Sequence, residues 1–209
     1  QFWREGGIVV NNLKILIMHF ISITSVSPLY KQVESLLITA FPETERRDLD
    51  LQRQYADGNQ NFKVYAVYEG DVFVGFFTLW TFQSFSYVEH FAVSPSLRSK
   101  GYGTRILQYI KEIVKTPLLL EIEIPFDIQQ KARQLFYEKN GFQTLDLAYF
   151  QPPYRSGDAC LPMHLMMYGN QGGVADEKLK KSVTTWVQQM YAEVYRFTPC
   201  DEVEKAELN

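Results

Sequence analysis

Apolar and polar residues follow two different repeats along this chain, and each change of repeat marks the boundary of a predicted element. Alternation with a period of two is typical of half-buried strands, whereas apolar residues three or four positions apart are typical of amphipathic helices. Gly75 interrupts one alternating run, which indicates a bulge or a close backbone contact. The alternating runs predict strands at 19–26, 62–68, 72–80, 87–93, 117–124, 142–150 and 161–168.

The helical repeat appears in five further segments. The first helix starts after Ser27-Pro28, since proline suits the first helical position, and it ends at Phe41-Pro42. The highly charged stretch 43–55 is expected to form a second, exposed helix. The other three helices are predicted at 101–115, at 129–140 and along an apolar stripe from Leu179 to Val194.

The stretch from Tyr87 to Ile113 joins a strand to a helix through a short basic loop. The helix starts with two glycines, Gly101 and Gly103, which would let a ligand approach the backbone closely. The first N–H groups of a helix lack intrahelical partners and attract anions, above all phosphates. Arg98 and Lys100 add positive charge to the same loop. The sequence therefore predicts a pyrophosphate-binding site at this helix start.

Two other phosphate-binding motifs do not fit this loop. A P-loop needs a Lys followed by Ser or Thr after its second glycine, and no such Lys-Ser/Thr pair directly follows Gly103. The dinucleotide fingerprint GxGxxG lacks its third glycine, because position 106 is Ile. The alternative that stays open is an ordinary glycine-started turn between a strand and a helix.

Composition narrows the range of functions. With 209 residues the chain suits one large domain, or one domain with an appendage. A net charge of −3 argues against a nucleic-acid-binding protein, which is normally basic. Two cysteines and three histidines, widely spaced, indicate neither a disulfide framework nor a metal site. We expect no metal, no nucleic-acid partner and a location in the reducing cytoplasm.

Residues 8–23 are rich in apolar side chains, but polar residues interrupt the run. A membrane span needs roughly 18 or more apolar residues in succession. A small-residue cleavage site of the signal-peptide type is also missing. The sequence therefore predicts neither a membrane span nor a secretory signal.

Three regions are expected. The chain starts with Gln1 and a natural start at Met18 is plausible, so residues 1–17 are expected to be a tag or an upstream extension. Residues 18–169 should form the main domain. Residues 170–209 should form a C-terminal helix, docked on the domain or on a partner subunit, and an acidic tail.

Two motifs resemble those of the GNAT family of N-acetyltransferases. Arg98-x-x-Gly101-x-Gly103, preceded by Ala92-Val93-Ser94-Pro95, resembles the acyl-CoA signature of that family. The segment from Gln134 to Phe142 resembles its second hallmark, a Leu/Phe-Tyr-Glu run that ends in Gly-Phe. The resemblance covers about residues 19–169. It implies a mixed α/β GNAT fold, with a splayed sheet of six to seven strands flanked by helices.

The resemblance also implies where acetyl-CoA binds as co-substrate. Strands 87–93 and 117–124 should part at their ends, and the pantetheine arm should lie in the gap along Phe91, Ala92 and Val93. Gln130 occupies a position where many members have a CoA-binding Asn, which leaves that contact in doubt. The pyrophosphate should lie on the N–H groups of Arg98, Ser99, Lys100, Gly101, Tyr102, Gly103 and Thr104.

The catalytic residues follow from the same resemblance. Tyr137 stands where the tyrosine acid of the family stands, although it could also be a packed core tyrosine. The general base is sought among three strand carboxylates, with Glu89 preferred over Glu123 and Glu123 over Glu121. Each of these could instead be an ion-paired carboxylate. His90 is expected to point to the opposite face from Glu89.

The acceptor site is the least determined part. Aromatic residues and one cation could line it, although packing explains them equally well: Phe82, Phe85, Tyr149, Tyr154 and Arg155. The implied activity is transfer of an acetyl group to a primary amine of a small molecule or peptide, by a monomer or homodimer that has no membrane partner. The alternatives are an acyl-CoA-binding module without catalysis and, less favoured, a scaffold that binds a partner through its C-terminal helix.

Overall fold

The structure, a computed structural model, describes residues 9–10, 13–14, 17–169 and 177–197. Most of the expected upstream extension at 1–17 and the acidic tail at 198–209 lie outside these residues. Within them, strands form a two-stranded pair and a large sheet. The strands are β1 (Val9–Val10), β2 (Leu13–Lys14), β3 (Met18–Ile23), β4 (Phe62–Glu69), β5 (Val72–Thr81), β6 (Ser86–Val93), β7 (Leu118–Glu123), β8 (Gln143–Thr144), β9 (Tyr149–Gln151) and β10 (Leu161–Tyr168).

The described helices lie between groups of these strands and after the last of them. Short 3₁₀ turns at Glu43–Glu45 and Pro95–Leu97 and a π-helical turn at Tyr191–Tyr195 accompany them. The α-helices are α1 (Tyr30–Ala40), α2 (Leu49–Gly58), α3 (Tyr102–Ile113), α4 (Ile128–Lys139) and α5 (Glu177–Met190).

The large sheet has eight strands in the order β3-β4-β5-β6-β7-β10-β8, with β9 paired to β10. All of its pairings are antiparallel except that of β6 with β7. This parallel pairing is short: Ser86–Val88 matches Leu118–Leu120, and the register ends there. The two central strands therefore part beyond Val88 and Leu120, as the predicted splayed mixed sheet requires.

Each face of the sheet carries its own apolar core. On one face, α1, α2 and α5 contribute buried residues such as Leu37, Tyr55 and Trp186. On the other, α3 and α4 contribute Ile106 and Tyr137 among others. The C-terminal helix thus packs on the core of its own chain.

The predicted single strand at 142–150 is wrong. Its two ends pair with different parts of β10, because β8 lies beside Met166 and Met167 and β9 lies beside Leu161–Met163. The residues between them turn away from the sheet, and Leu147 N–H bonds to the Leu145 carbonyl at 3.1 Å. This break divides one predicted strand into two and raises the sheet to eight strands.

The predicted exposed helix at 43–55 is also wrong. A 3₁₀ turn, an extended segment and α2, which begins only at Leu49, occupy that stretch. Arg47 in the extended segment is 1% exposed. A charged run normally lies in solvent, but Arg47 has a buried carboxylate partner, which keeps its charge compensated.

Gly75 confirms the expected close backbone contact. A Cβ at this position would lie 2.2 Å from the carbonyl oxygen of Ala92 in the neighbouring strand. Any side chain here would push β5 away from β6. Glycine therefore sets the position of the strand that borders the parting of the sheet.

None of the described helices is both long enough and apolar enough to cross a membrane. Across the described ranges, no three His, Cys, Asp or Glu side chains group in a way that could hold a metal ion.

Candidate active site

A cleft of about 760 Å³ opens where β6 and β7 part. Its walls are the diverging strands, the start of α3, the inner face of α4 and the chain that follows α1. Beyond Val88 none of the described strands pairs with the edge of β6 that faces β7, since the parallel register ends there. An extended ligand could lie along this edge as an added strand does.

The loop before α3 has an unusual backbone. Gly101 precedes the first residue of the helix with a φ of 82°, and Ser99 has a φ of 61°. Residues other than glycine rarely adopt this left-handed region, so such conformations persist mainly where a site requires them. The Nε atom of Arg98 donates to the Val93 carbonyl at 3.3 Å, which holds the loop against the end of β6.

Eight of the ten residues predicted to bind CoA line the cleft: Phe91, Ala92, Val93, Arg98, Ser99, Gly101, Gly103 and Thr104. Lys100 and Tyr102 are not part of its wall as the described residues form it. The Tyr102 hydroxyl donates to Glu69 at the end of β4. The strand edge and the helix start thus meet in one cleft, and the free N–H groups of a helix start can bind an anion such as a pyrophosphate.

Gln130 takes part in capping the start of α4. Its side-chain oxygen accepts hydrogen bonds from the backbone N–H groups of Phe126 and Asp127, and Asp127 caps α4 in return. This reciprocal capping stabilises the start of the helix. Because the side-chain oxygen of Gln130 is already bonded within the cap, this geometry does not favour a CoA contact at this position.

A bulge changes the direction of two side chains in β6. Opposite the single residue Thr78 of β5, β6 has both Glu89 and His90, because Phe77 pairs with Phe91 and Leu79 with Val88. The expectation that Glu89 and His90 point to opposite faces is therefore wrong. An extra residue in one strand shifts the alternation of its side chains, and His90 Nδ1 lies 3.9 Å from Glu89 Oε2.

His90 is buried and neutral in this position. Burial lowers its pKa, although the nearby Glu89 carboxylate opposes that shift. Its Nε2 donates to the backbone carbonyl of Glu45 at 3.1 Å, since a carbonyl can only accept. The ring packs against Phe41 with 4.7 Å between centroids. These contacts describe a packed histidine.

The side chain of Glu89 is fully buried and accepts several hydrogen bonds. The guanidinium of Arg47 bonds to both of its carboxylate oxygens. Trp80 Nε1 donates to it at 2.9 Å and the Tyr154 hydroxyl at 2.8 Å. Burial alone would raise the pKa of Glu89, but the charge of Arg47 and these hydrogen bonds together lower it. Such a carboxylate is a poor proton acceptor.

Glu121 follows Leu120, the last residue of β7 that pairs with β6, and has a different environment. The hydroxyls of Tyr149 and Tyr195 donate to it, the latter at 2.8 Å, and Gln151 Nε2 donates at 2.7 Å. Among the described residues it has no ion-pair partner. Burial raises the pKa of Glu121 to about 6, although the hydrogen bonds oppose that shift.

The two remaining predicted catalytic residues also line the cleft. Glu123 forms an ion pair with Arg133 of α4. Tyr137 packs between the rings of Phe136 and Phe142. Burial raises the pKa of Tyr137 to about 12, so its hydroxyl stays protonated at neutral pH and can donate a proton or a hydrogen bond.

The five residues predicted to line the acceptor site lie elsewhere, outside the cleft wall that the described residues form. Phe82 and Phe85 are buried and stack on Trp80 and Trp186. Tyr149 and Tyr154 reach Glu121 and Glu89 respectively through their hydroxyls.

Arg155, the fifth of these residues, bonds to Asp48 and to the Arg46 carbonyl, which ties its loop to the chain before α2. The cleft wall instead includes Phe41, Pro42, Glu45 and Met163.

The sequence interpretation missed three residues of this site. Arg47 lies in a charged run and Tyr195 lies beyond the main domain, so neither position suggests a partner in the centre of the sheet. Gln151 begins the loop up to Arg155, which the sequence interpretation expected to help form the acceptor site, but no role for the Gln151 side chain was predicted. In the structure these residues hold the two carboxylates.

Comparison with known proteins agrees with this geometry. A family profile described as the acetyltransferase (GNAT) domain matches residues 60–144. A structure of an acetyltransferase assigned to the GNAT family of Bacteroides thetaiotaomicron is 39% identical, covers 86% of this chain and 99% of its own, and has a TM-score of 0.79. A comparison with curated proteins gives no match.

Two more distant structures share the fold alone. An aminoglycoside 6′-N-acetyltransferase complexed with coenzyme A is 17% identical over 74% of this chain and 99% of its own, with a TM-score of 0.55. A GNAT acetyltransferase of Elizabethkingia anophelis with acetyl-CoA bound is 17% identical over 73% of this chain and 98% of its own, with a TM-score of 0.51. With the relative at 39% identity, the parted strands and the glycine-started helix, the chain belongs to the GNAT family of acetyl-CoA-dependent N-acetyltransferases.

Proposed function

We propose that this protein transfers the acetyl group of acetyl-CoA to a primary amine of a small molecule or peptide, by direct attack in a ternary complex. The observation that carries the proposal is Glu121, a carboxylate with a raised pKa at the point where the central strands part. Perturbed carboxylates in a cleft are frequent proton acceptors.

The co-substrate is held by backbone and loop. Its pantetheine arm lies along Phe91, Ala92 and Val93, and its pyrophosphate lies at the start of α3 near Arg98 and Gly101. Support comes from the shared cleft and from the left-handed backbone of the loop. When bound there, acetyl-CoA supplies an activated acyl group.

We place the general base at Glu121 rather than at Glu89 or Glu123. A base works best when its pKa is near the working pH, and that of Glu121 is about 6. Glu89 is bonded to Arg47 through both oxygens, and Glu123 is paired with Arg133. The negative charges of these two carboxylates are compensated by arginines, whereas Glu121 has no such cation beside it among the described residues.

The transfer is balanced by two proton movements. The amine nitrogen forms a bond to the thioester carbon, and Glu121 takes the proton that the nitrogen loses, directly or through one water molecule. The carbon–sulfur bond breaks, and Tyr137 gives a proton to the departing sulfur. The proton on Glu121 then leaves to solvent and Tyr137 is reprotonated. An acetamide and free CoA result.

Calorimetric titration with acetyl-CoA and with CoA tests the first half of this proposal. The wild type is expected to bind both at micromolar concentration, and an Arg98→Ala, Gly103→Glu double variant is expected to lose binding. Lys115→Ala is the control, because Lys115 lies exposed past the other end of α3 and should leave binding unchanged.

Thiol release tests the second half. A panel of benzylamine, tyramine, histamine, spermidine and an alanine-starting peptide is added with acetyl-CoA, and the products are checked by mass. Turnover with at least one amine, lowered in Tyr137→Phe while CoA affinity is kept, supports the proposal. Binding without any acetylated product would contradict it and favour a module that binds acyl-CoA without catalysis.

A further inference from the structure

Gln151 ends β9 and lines the cleft beside Glu121. Among the described residues, only the nitrogen of its side-chain amide has hydrogen-bond partners. The amide nitrogen donates to Glu121 Oε2 at 2.7 Å and to the Tyr195 hydroxyl at 3.3 Å. The amide oxygen is buried and has no hydrogen-bond partner among the described residues. Gln151 as a whole is 6% exposed.

The orientation of this amide is fixed by its neighbour. An amide oxygen and nitrogen can exchange places, and only the surrounding hydrogen bonds decide between the two arrangements. A carboxylate accepts and does not donate, so the nitrogen of Gln151 must face Glu121. The oxygen is therefore the atom left without a partner, and a buried acceptor without a donor costs free energy.

Glu121 already receives several donors. The hydroxyls of Tyr149 and Tyr195 and the Gln151 amide nitrogen bond to its carboxylate, and the Tyr87 hydroxyl adds a further hydrogen bond that helps to lower its pKa. In this cluster, as the described residues form it, the Gln151 oxygen is the polar atom that lacks a partner. Gln151 and Glu121 both line the cleft.

We propose that Gln151 Oε1 accepts a hydrogen bond from the acceptor nitrogen and makes the enzyme selective for primary amines, an inference that rests on the acetyl transfer proposed above. A primary amine has two N–H bonds and a lone pair. One N–H points to Glu121, the other points to Gln151, and the lone pair is then directed at the thioester carbon.

A secondary amine cannot satisfy both groups during attack. Its single N–H points to Glu121, and its second carbon substituent then lies against the Gln151 oxygen, which stays unpaired. Sites built to bond an N–H group discriminate strongly against analogues that lack it. Gln151 therefore sets both the orientation of the nitrogen and the class of acceptor.

The test compares the fastest primary amine of the panel with its N-methyl derivative. The wild type is expected to favour the primary amine by at least about 100-fold in kcat/KM. Gln151→Met fills the same space without an amide, and this ratio should fall about tenfold or more, mainly through loss on the primary amine. The KM for acetyl-CoA should stay the same.

Tyr149→Phe is the matched control, because it removes another donor to Glu121 and leaves Gln151 in place. It should lower kcat/KM for both amines alike and keep their ratio. If Tyr149→Phe lowers the ratio as much as Gln151→Met does, Gln151 acts only by holding Glu121 and the inference is overturned. An unchanged ratio in Gln151→Met overturns it as well.

Gln151→Glu keeps the inference testable if the Met variant does not fold. Two neighbouring carboxyl groups share a proton, so the new group can donate to Glu121 and still accept from the amine. The preference for the primary amine should survive in this variant, and its loss would count against the inference. Failure to acetylate any amine would instead overturn the proposed function itself, which separates the two results.

Discussion

The hydroxyl of Tyr195 lies 2.8 Å from the Oε2 atom of Glu121, although 74 positions separate the two residues in the chain. Tyr195 belongs to the π-helical turn that follows α5, and it also bonds to the Tyr87 hydroxyl at 2.9 Å. The C-terminal segment therefore contributes directly to the environment of the carboxylate that we propose as the base.

Tyr195→Phe should move the acid limb of the pH–rate profile to higher pH. The base acts when it is ionised, so kcat/KM rises as pH passes its pKa, which is about 6 in the wild type. Tyr195 stabilises the ionised form, and a hydrogen bond to a charged group contributes about 1.5 kcal/mol, so its loss should raise that pKa by about one unit.

Tyr191→Phe provides the control for this pH profile. Its hydroxyl bonds to the Phe150 carbonyl at 2.6 Å, in the same turn but away from Glu121. In Tyr191→Phe, the acid limb of the pH–rate profile should lie at the same pH as in the wild type. Equal profiles for the two variants would mean that Tyr195 does not tune the base.

Glu121→Gln and Glu89→Gln should affect different quantities. Loss of a general base lowers kcat by about 10²- to 10⁴-fold, and Glu121→Gln should do so without a large change in unfolding free energy. Glu89→Gln leaves the buried Arg47 without its carboxylate, which should lower the free energy of unfolding by about 3–5 kcal/mol.

Urea unfolding and amine turnover, measured on both variants, separate these roles. If Glu89→Gln loses turnover with its stability intact while Glu121→Gln stays active, the base is Glu89, the residue that the sequence favoured.

Gly75→Ala should destabilise the protein and weaken acetyl-CoA binding together. The added Cβ would collide with the Ala92 carbonyl, and relief of such a clash in a packed region costs about 1–3 kcal/mol. The β6 edge beside the cleft would move with it. Gly58→Ala is the control, because open space surrounds that position at the end of α2. Thermal unfolding measures the stability of both variants, and calorimetry measures their affinity for acetyl-CoA. Unchanged acetyl-CoA binding in Gly75→Ala would show that the position of this strand does not affect the cleft.

Trp186→Ala should destabilise the whole domain, since α5 shares its core. Trp186 stacks on Phe85 with 5.5 Å between ring centroids and is 8% exposed. Truncation of a buried tryptophan costs about 3–5 kcal/mol. A single cooperative urea transition at lower midpoint is expected. A separate early transition of α5, with the rest unaffected, would show that the helix is an independent appendage.

The sequence was sufficient for the framework and for locating the glycine-containing loop that lines the cleft before α3. Strand β10 was predicted at its observed bounds, 161–168, because long runs with clear turn signals define strands well. The loop at 98–103 combines glycines, basic residues and a helix start, and these act locally. Such features are independent of distant contacts, so a reading of one segment at a time can find them.

The ranking of the carboxylates could not be obtained in this way. The bulge at Glu89 and His90 adds one residue to β6, and a strict period of two places every later side chain on the wrong face. The environments of Glu89 and Glu121 depend on Arg47, which lies before α2, and on Tyr195, which lies after α5. The sequences of β6 and β7 alone therefore do not predict these partners.

Arg47 also reaches the C-terminal turn, where its Nη2 atom bonds to the Val194 carbonyl at 3.4 Å across 147 positions of sequence. During synthesis on a ribosome, the strands and the CoA loop emerge long before this turn does. Contacts between distant residues form late, since the intervening chain must first be closed. A nascent chain could therefore recognise its co-substrate before its base is tuned, and in refolding experiments acetyl-CoA binding should recover ahead of amine turnover.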